Sequence, residues 1–298
     1  MKNVLILGGN YDQLPYIKEI KEKGYRIFLT DLNENCPSRP LADFFYTCGY
    51  DDHQKLSEIS TEISAYGPFK IFTAAAQFAN VGAAMVAEKF SVTYPAVSDV
   101  QVCLNKAAFY KTFTDNKIPI PQTVPVRDEI ELVNILEMAT PRSNYYLKSD
   151  FGKSPNYIYR LSTPLSNIGD INWNKDRYFK DVYLLQKEFD GDHHRINIYP
   201  GGYSVFSFFT KELSSVADKV LLEKLGVFEK LRGYVQSIGL EAWLIKFDVI
   251  AANDDWVALD VGLDPPFRMK NYLESIGLNF PKMYVEHYLE GEINYPHV

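Results

Sequence analysis

The sequence predicts an α/β protein: a doubly wound, mostly parallel sheet over about the first 95 residues, followed by a larger region of α+β character. Three observations carry this prediction. An apolar run, a glycine turn, a helix-periodic stretch and a second apolar run follow one another within the first 31 residues. The alternation of helix and strand then continues to about residue 89. From residue 145 onward, short apolar runs dominate, with one long helical stretch among them.

Element by element, residues 4–7 are continuously apolar and Gly8-Gly9-Asn10 breaks the run. Leu14, Ile17 and Ile20 recur at helical spacing, and Lys23-Gly24 stops that helix. The run 25–30 ends in Asp31 and completes a βαβ unit. A helix around 54–66, a strand at 70–74 and a helix at about 79–89 follow. Pro95 and the polar pair Ser98-Asp99 mark a boundary, dividing the chain into domains 1–95 and 96–298. A helical stretch, 100–116, runs into Ile118-Pro119-Ile120-Pro121, whose prolines forbid helix and enforce an extended entry into new structure. Strands are expected at 145–148, 157–161, 183–188, 195–199 and 203–208, then a helix over 215–238, then strands at 243–251 and 256–261.

Composition narrows the function. A chain of 298 residues, 46% hydrophobic, can bury a large core. A net charge of -7 argues against wrapping a nucleic-acid backbone, which needs surplus Lys and Arg, and favours small-molecule partners. Cys36, Cys48 and Cys103 are odd in number and lack CxxC spacing, so they read as reduced, structural thiols. No run approaches the roughly 18 apolar residues that a membrane span requires, and the first residues enter a strand at once, so the cytoplasm is the expected location.

Several residues carry possible chemistry. Gly8-Gly9-Asn10 supplies two of the three glycines of a dinucleotide fingerprint, with Asp31 in the place of its ribose-binding acid; a tight turn accounts for the glycines equally well. Lys148 closes a strand beside the loop Ser149-Asp150-Phe151-Gly152-Lys153-Ser154, an arrangement suited to phosphate. Lys106 leads a helix. The apolar strand that ends in Gln186-Lys187-Glu188-Phe189, with Gly191 behind it, offers a hinge for an adenine edge. His193 and His194 are adjacent on a strand and point to opposite faces, so they do not converge on a metal. Asp248 and Asp260 lie within apolar strands of one hairpin, where a carboxylate needs either a hard divalent cation or a salt bridge, to Lys246 or Arg268.

In this order and spacing, these elements resemble the ATP-grasp superfamily over nearly the whole chain. Residues 1–95 look like its pre-ATP-grasp domain, and the remainder like an ATP-grasp fold of two α+β subdomains with a lid at about 120–185. Asn105-Lys106 and Lys117-Ile118-Pro119-Ile120-Pro121 are similar to the family's entry helix and its GIPxP motif, without the glycine. The resemblance implies ATP and Mg²⁺ as cofactors. It places Lys106, Lys148, Gly152, Ser154, Gln186, Lys187, Glu188, Phe189 and His193 about the nucleotide, Asp248, Asp260 and Asp264 on magnesium, and Arg268 and Arg195 on substrate. It implies a ligase joining a small-molecule carboxylate to an amine through an acylphosphate, with a homodimer as the base-rate assembly.

The chain also departs from the family. Its phosphate loop has only Gly152 where several glycines are usual, and Pro155 stiffens it. His193 stands where a ribose-binding acid is usual, and the final Glu-x-Asn-Pro-Arg motif is replaced by Asp260-Val261-Gly262-Leu263-Asp264. Two alternatives therefore stand beside ligation: a non-catalytic nucleotide-binding sensor or scaffold, and a small-molecule kinase.

Overall fold

The computed structural model describes residues 2–140, 142–150, 158–163, 171, 173, 182–207, 210 and 212–296. Its first sheet forms as the apolar runs require. Strand β1 (Asn3–Leu7) is buried at every residue and is followed by α1 (Leu14–Glu22) and β2 (Arg26–Asp31). Tyr16, Ile17 and Ile20 are the buried stripe of α1, and Gly24, at φ +76°, ends its C-terminal turn in a conformation that favours glycine. Strand β3 (Phe44–Thr47), helix α2 (His53–Ser64), β4 (Phe69–Phe72) and α3 (Gln77–Phe90) complete a four-stranded parallel sheet of order β3-β2-β1-β4. The sequence reading missed β3, because its four edge residues, three half-exposed and one exposed, carry no period.

The helical stretch expected over 100–116 is two helices, α4 (Val97–Val102) and α5 (Lys106–Asp115). Asn105 separates them: its Oδ1 accepts from Ala108 N at 2.7 Å and caps α5. After α5, Lys117 takes φ +58° at the position where the resembled motif has glycine, so the turn into the prolines is kept with a side chain in place. A second sheet follows, from β5 (Thr123–Val126), β6 (Asn144–Ser149), β7 (Ile158–Ser162) and β8 (Tyr183–Lys187), antiparallel in the order β5-β8-β6-β7. Strand β5 and helix α6 (Glu129–Glu137) were not anticipated. The helix had a readable start: Asp128 Oδ1 accepts from Glu131 N at 2.8 Å.

The third sheet comprises β9 (Asp192–Tyr199), β10 (Gly202–Ser207), β11 (Ile245–Ala251) and β12 (Trp256–Gly262), antiparallel in the order β10-β9-β11-β12. A Cβ on Gly191, at the entry to β9, would lie 2.4 Å from the Ala251 carbonyl oxygen, so only glycine fits that approach. The single helix expected over 215–238 is broken by Gly226 at φ +68° into α7 (Val216–Lys224) and α8 (Val227–Ser237). Helices α9 (Phe267–Ser275) and α10 (Phe280–Val285), and a π-helical turn at Glu286–Glu290, then return to the first sheet. Phe280 and Tyr284 of α10 pack with Tyr16 of α1 and Phe72 of β4, so residues from both ends of the chain share one core. All three cysteines are free and buried. Among the described residues no helix is long and apolar enough to cross a membrane.

Candidate active site between two antiparallel sheets

The third sheet carries the acidic pair. Asp248 on β11 lies opposite Arg195 on β9 and opposite Asp260 on β12. Regular alternation would not have placed Asp260 there. Ala258 pairs with Val249 and both enter the core, so two residues later the side chain should enter the core as well. The register shifts instead: Leu259 is the extra residue of a bulge, Val261 and Leu263 turn to the core, and Asp260 moves to the face of Asp248. Arg195 grips Asp248 with two parallel bonds, Nε to Oδ1 at 2.7 Å and Nη2 to Oδ2 at 2.6 Å. Burial disfavours the guanidinium charge, and the Asp248 carboxylate more than offsets this, so the Arg195 pKa is raised.

The second sheet supplies the lysine. Lys148 Nζ donates to Gln186 Oε1 at 2.7 Å; Gln186 Nε2 donates to the Tyr110 hydroxyl at 2.8 Å and to Thr123 Oγ1 at 3.2 Å. Burial pushes Lys148 down to about 8, with Asp260 and Asp248 favouring its charge and Lys106 opposing it. Lys106, Asp248 and Asp260, on α5, β11 and β12, therefore lie within electrostatic reach of Lys148 on β6. Lys106 is anchored through its backbone N–H, which donates to the Asp150 carbonyl at 2.6 Å.

The other expected residues sort as follows. His193 joins the site: burial pushes it down to about 4, with Asp248 pulling upward and Arg195, Lys148 and Arg268 pushing further down, so it is neutral at neutral pH. His194 faces the other way, with Nδ1 3.1 Å from Ser214 Oγ. Arg268 lies in the first turn of α9; burial and the charge of Arg195 lower its pKa against the pull of Asp248. In the segment expected as a hinge, Lys187 and Glu188 donate their backbone N–H groups to Gln122 O and Asn144 O, both at 2.9 Å, and Phe189 is half-buried. The Glu188 side chain turns to Asn144, Tyr146 and Arg160. Gly152 and Ser154 lie outside the described residues.

Of the three carboxylates expected on magnesium, Asp248 and Asp260 come together, whereas Asp264 forms an ion pair with Lys246. That lysine is itself buried, and a buried ammonium needs an anion. Among the described residues no three His, Cys, Asp or Glu side chains form a group able to hold a metal ion. Two adjacent carboxylates do fit Mg²⁺, which commonly takes one or two from the protein and the rest of its shell from phosphate and water.

Lys148 makes a testable cost visible. A folded lysine at about 8 against the ordinary 10.5 means that the unfolded chain holds more protons across that window. Stability therefore rises with pH through it, and the cost of the charge is fully present below pH 8. Lys148→Met should accordingly stabilise the ligand-free protein at pH 7 by about 2–3 kcal/mol, with the gain shrinking above pH 8. Thermal melts of both proteins from pH 7 to 10 check this, and a gain independent of pH would refute it.

Two residues were missed by sequence reading. Tyr110 reads as a core aromatic in a helix, and nothing local reveals that its hydroxyl donates to Leu259 O at 2.9 Å. Gln77 begins α3 at the carboxyl end of the first sheet, is 3% exposed, and has neither amide atom hydrogen-bonded among the described residues. The glycine turn serves the fold: Gly9 N donates to Asp31 Oδ2 at 2.7 Å, so the acid closes the turn. A cleft of about 1030 Å³ lies elsewhere, between Phe69, Phe90, Trp243 and Tyr288, and contains none of the expected site residues.

No family model matches the chain, and no curated protein matches it. Solved structures do. It is similar to N5-carboxyaminoimidazole synthetase from Staphylococcus aureus complexed with ADP, with TM-score 0.74 and 13% identity, over 100% of this chain and 80% of that one. It is similar to L-amino acid ligase from Bacillus licheniformis, with TM-score 0.68 and 15% identity, over 99% and 77%. A RimK domain ATP-grasp protein from Sphaerobacter thermophilus matches with TM-score 0.62 and 13% identity, over 96% and 99%. Likeness at such low identity is likeness of fold, and on it this chain has the ATP-grasp fold.

Proposed function

We propose that this chain is an ATP- and Mg²⁺-dependent ligase that joins a small-molecule carboxylate to an amine. The observation that carries the reading is the convergence of Lys106 and Lys148 with Asp248 and Asp260 between two antiparallel sheets. The lysines suit phosphate and the carboxylates suit magnesium, and in one half-buried space each group also offsets the charge of the other. Lys106 and Lys148 bind the phosphates, the hinge 186–189 takes the base, and Asp260 with Asp248 holds Mg²⁺. The metal, when bound, offsets phosphate charge. Arg268 and Arg195 orient the acid, and Gln77 offers its amide to the organic substrate at the end of the first sheet, where open α/β sheets bind ligands.

The acid's oxygen attacks the γ-phosphorus and the bond to ADP breaks, giving an acylphosphate. The amine then attacks the acyl carbon, phosphate leaves with the former carboxylate oxygen, and the nitrogen loses a proton. The protein's part is alignment, charge stabilisation and exclusion of water. Thermal shift with Mg-ATP, then ADP and phosphate release across a panel of acids and amines, tests the reading. Transfer of labelled oxygen from acid to phosphate separates ligation from direct phosphoryl transfer, and a protein that neither binds Mg-ATP nor releases ADP sinks the proposal.

One observation favours a second reading, a non-catalytic nucleotide binder: Asp248 and Asp264 are each neutralised by a cation of the protein itself. That reading expects the thermal shift without ADP release for any acid and amine.

A further inference from the structure

The hydrogen-bond chain that begins on Lys148 does not end in its own sheet. It runs from the ammonium to Gln186 Oε1, from Gln186 Nε2 to the Tyr110 hydroxyl, and from that hydroxyl to Leu259 O. Leu259 is the bulge residue that turns Asp260 onto the site face. We propose that Tyr110 is a positioning residue, whose hydroxyl holds the lysine-bearing sheet and the carboxylate-bearing sheet of the nucleotide site in register. The proposal rests on the nucleotide reading above and adds to it the part that sets the spacing.

Each link has one polarity. The ammonium can only donate, so Gln186 must present its oxygen to Lys148 and its NH₂ to Tyr110. Tyr110 then accepts from Gln186 and has its single proton for Leu259. The bulge makes that proton matter, because an extra residue loses its regular ladder partners, and a half-buried carbonyl without a donor is costly. Tyr110 also lies one helical turn beyond Lys106, on the same face of α5. The hydroxyl of Tyr110 on α5, the element of Lys106, thus reaches β12 of Asp260 directly through Leu259 O and β6 of Lys148 through Gln186 on β8, and its ring centroid lies 4.6 Å from that of Phe109.

Tyr110→Phe keeps the ring and removes only the hydroxyl. Tyr234→Phe is the control. It removes another hydroxyl that meets α5, at Thr112 Oγ1, 3.1 Å away in the same core, and it breaks no link to Lys148 or Leu259. Calorimetric titration with Mg-ATP, repeated at several Mg²⁺ concentrations, is the measurement. Tyr110→Phe should weaken Mg-ATP binding about tenfold and raise the Mg²⁺ needed for half-saturation, whereas Tyr234→Phe should stay within about twofold of wild type despite a similar loss of thermal stability. Wild-type affinity in Tyr110→Phe, or an equal loss in Tyr234→Phe, overturns the proposal and leaves the nucleotide reading standing. Failure of the wild-type protein to bind Mg-ATP overturns that reading, and this one with it.

Discussion

Arg195→Met is expected to destabilise the protein by about 3 kcal/mol, and Asp248→Asn added to it should recover most of that loss. The side chains of Arg195 and Asp248 are 17% and 13% exposed, so the pair is screened little by solvent. Removing the guanidinium takes two hydrogen bonds from a half-buried carboxylate, and leaves Asp248 and Asp260 facing each other across β11 and β12 without the bidentate arginine. Two like charges in one low-dielectric space raise each other's cost, and one will take up a proton. Methionine keeps much of the side-chain volume, so lost packing is a minor term. Urea denaturation of the single and double variants measures the effect. A single variant within 1 kcal/mol of wild type, or a double variant no more stable than the single, would show that the ion pair is not what holds Asp248.

The second large effect is on turnover. Asp260→Asn should lower ADP formation at least about 10³-fold while the ligand-free protein stays folded. The change is isosteric, and the relief of one of two opposed carboxylates works against the support that Lys148 loses, so the net change in stability is small. It also takes away the anion that does most to support the charge of Lys148, so metal and phosphate binding should weaken together. Steady-state ADP release together with thermal melts separates the two consequences. If more than about a tenth of the turnover survives, Asp260 is not the carboxylate on which the reaction depends. A protein with no turnover to lose, but with Mg-ATP binding that weakens in Asp260→Asn, fits the non-catalytic reading.

Much of the fold was legible because it depends on short-range pattern. The run Val4 to Leu7, the stripe Tyr16, Ile17 and Ile20, and the break at Gly24 each act within a turn or a strand. The same holds for the hairpin of Asp248 and Asp260, whose apolar neighbours announce that a charge there needs a partner. The errors have short-range causes too. Asn105 and Gly226 divided stretches that periodicity had read as single helices, because a cap and a left-handed residue outweigh an apolar stripe that continues past them.

What the sequence by itself determined is the set of chemical groups and the order in which the elements present them: Lys106 before Lys148, then Gln186, then Asp248 and Asp260. Only the tertiary structure decided which group meets which. Asp264 went to Lys246 and Asp248 to Arg195, a partner that is 53 residues away along the chain but opposite it in the sheet. Asp260 reached the site face through a bulge whose carbonyl is held by a tyrosine on another element. Pairing of buried charges is settled by register and by the energy of leaving water, and both depend on strands that are distant in sequence and adjacent only once the chain has folded.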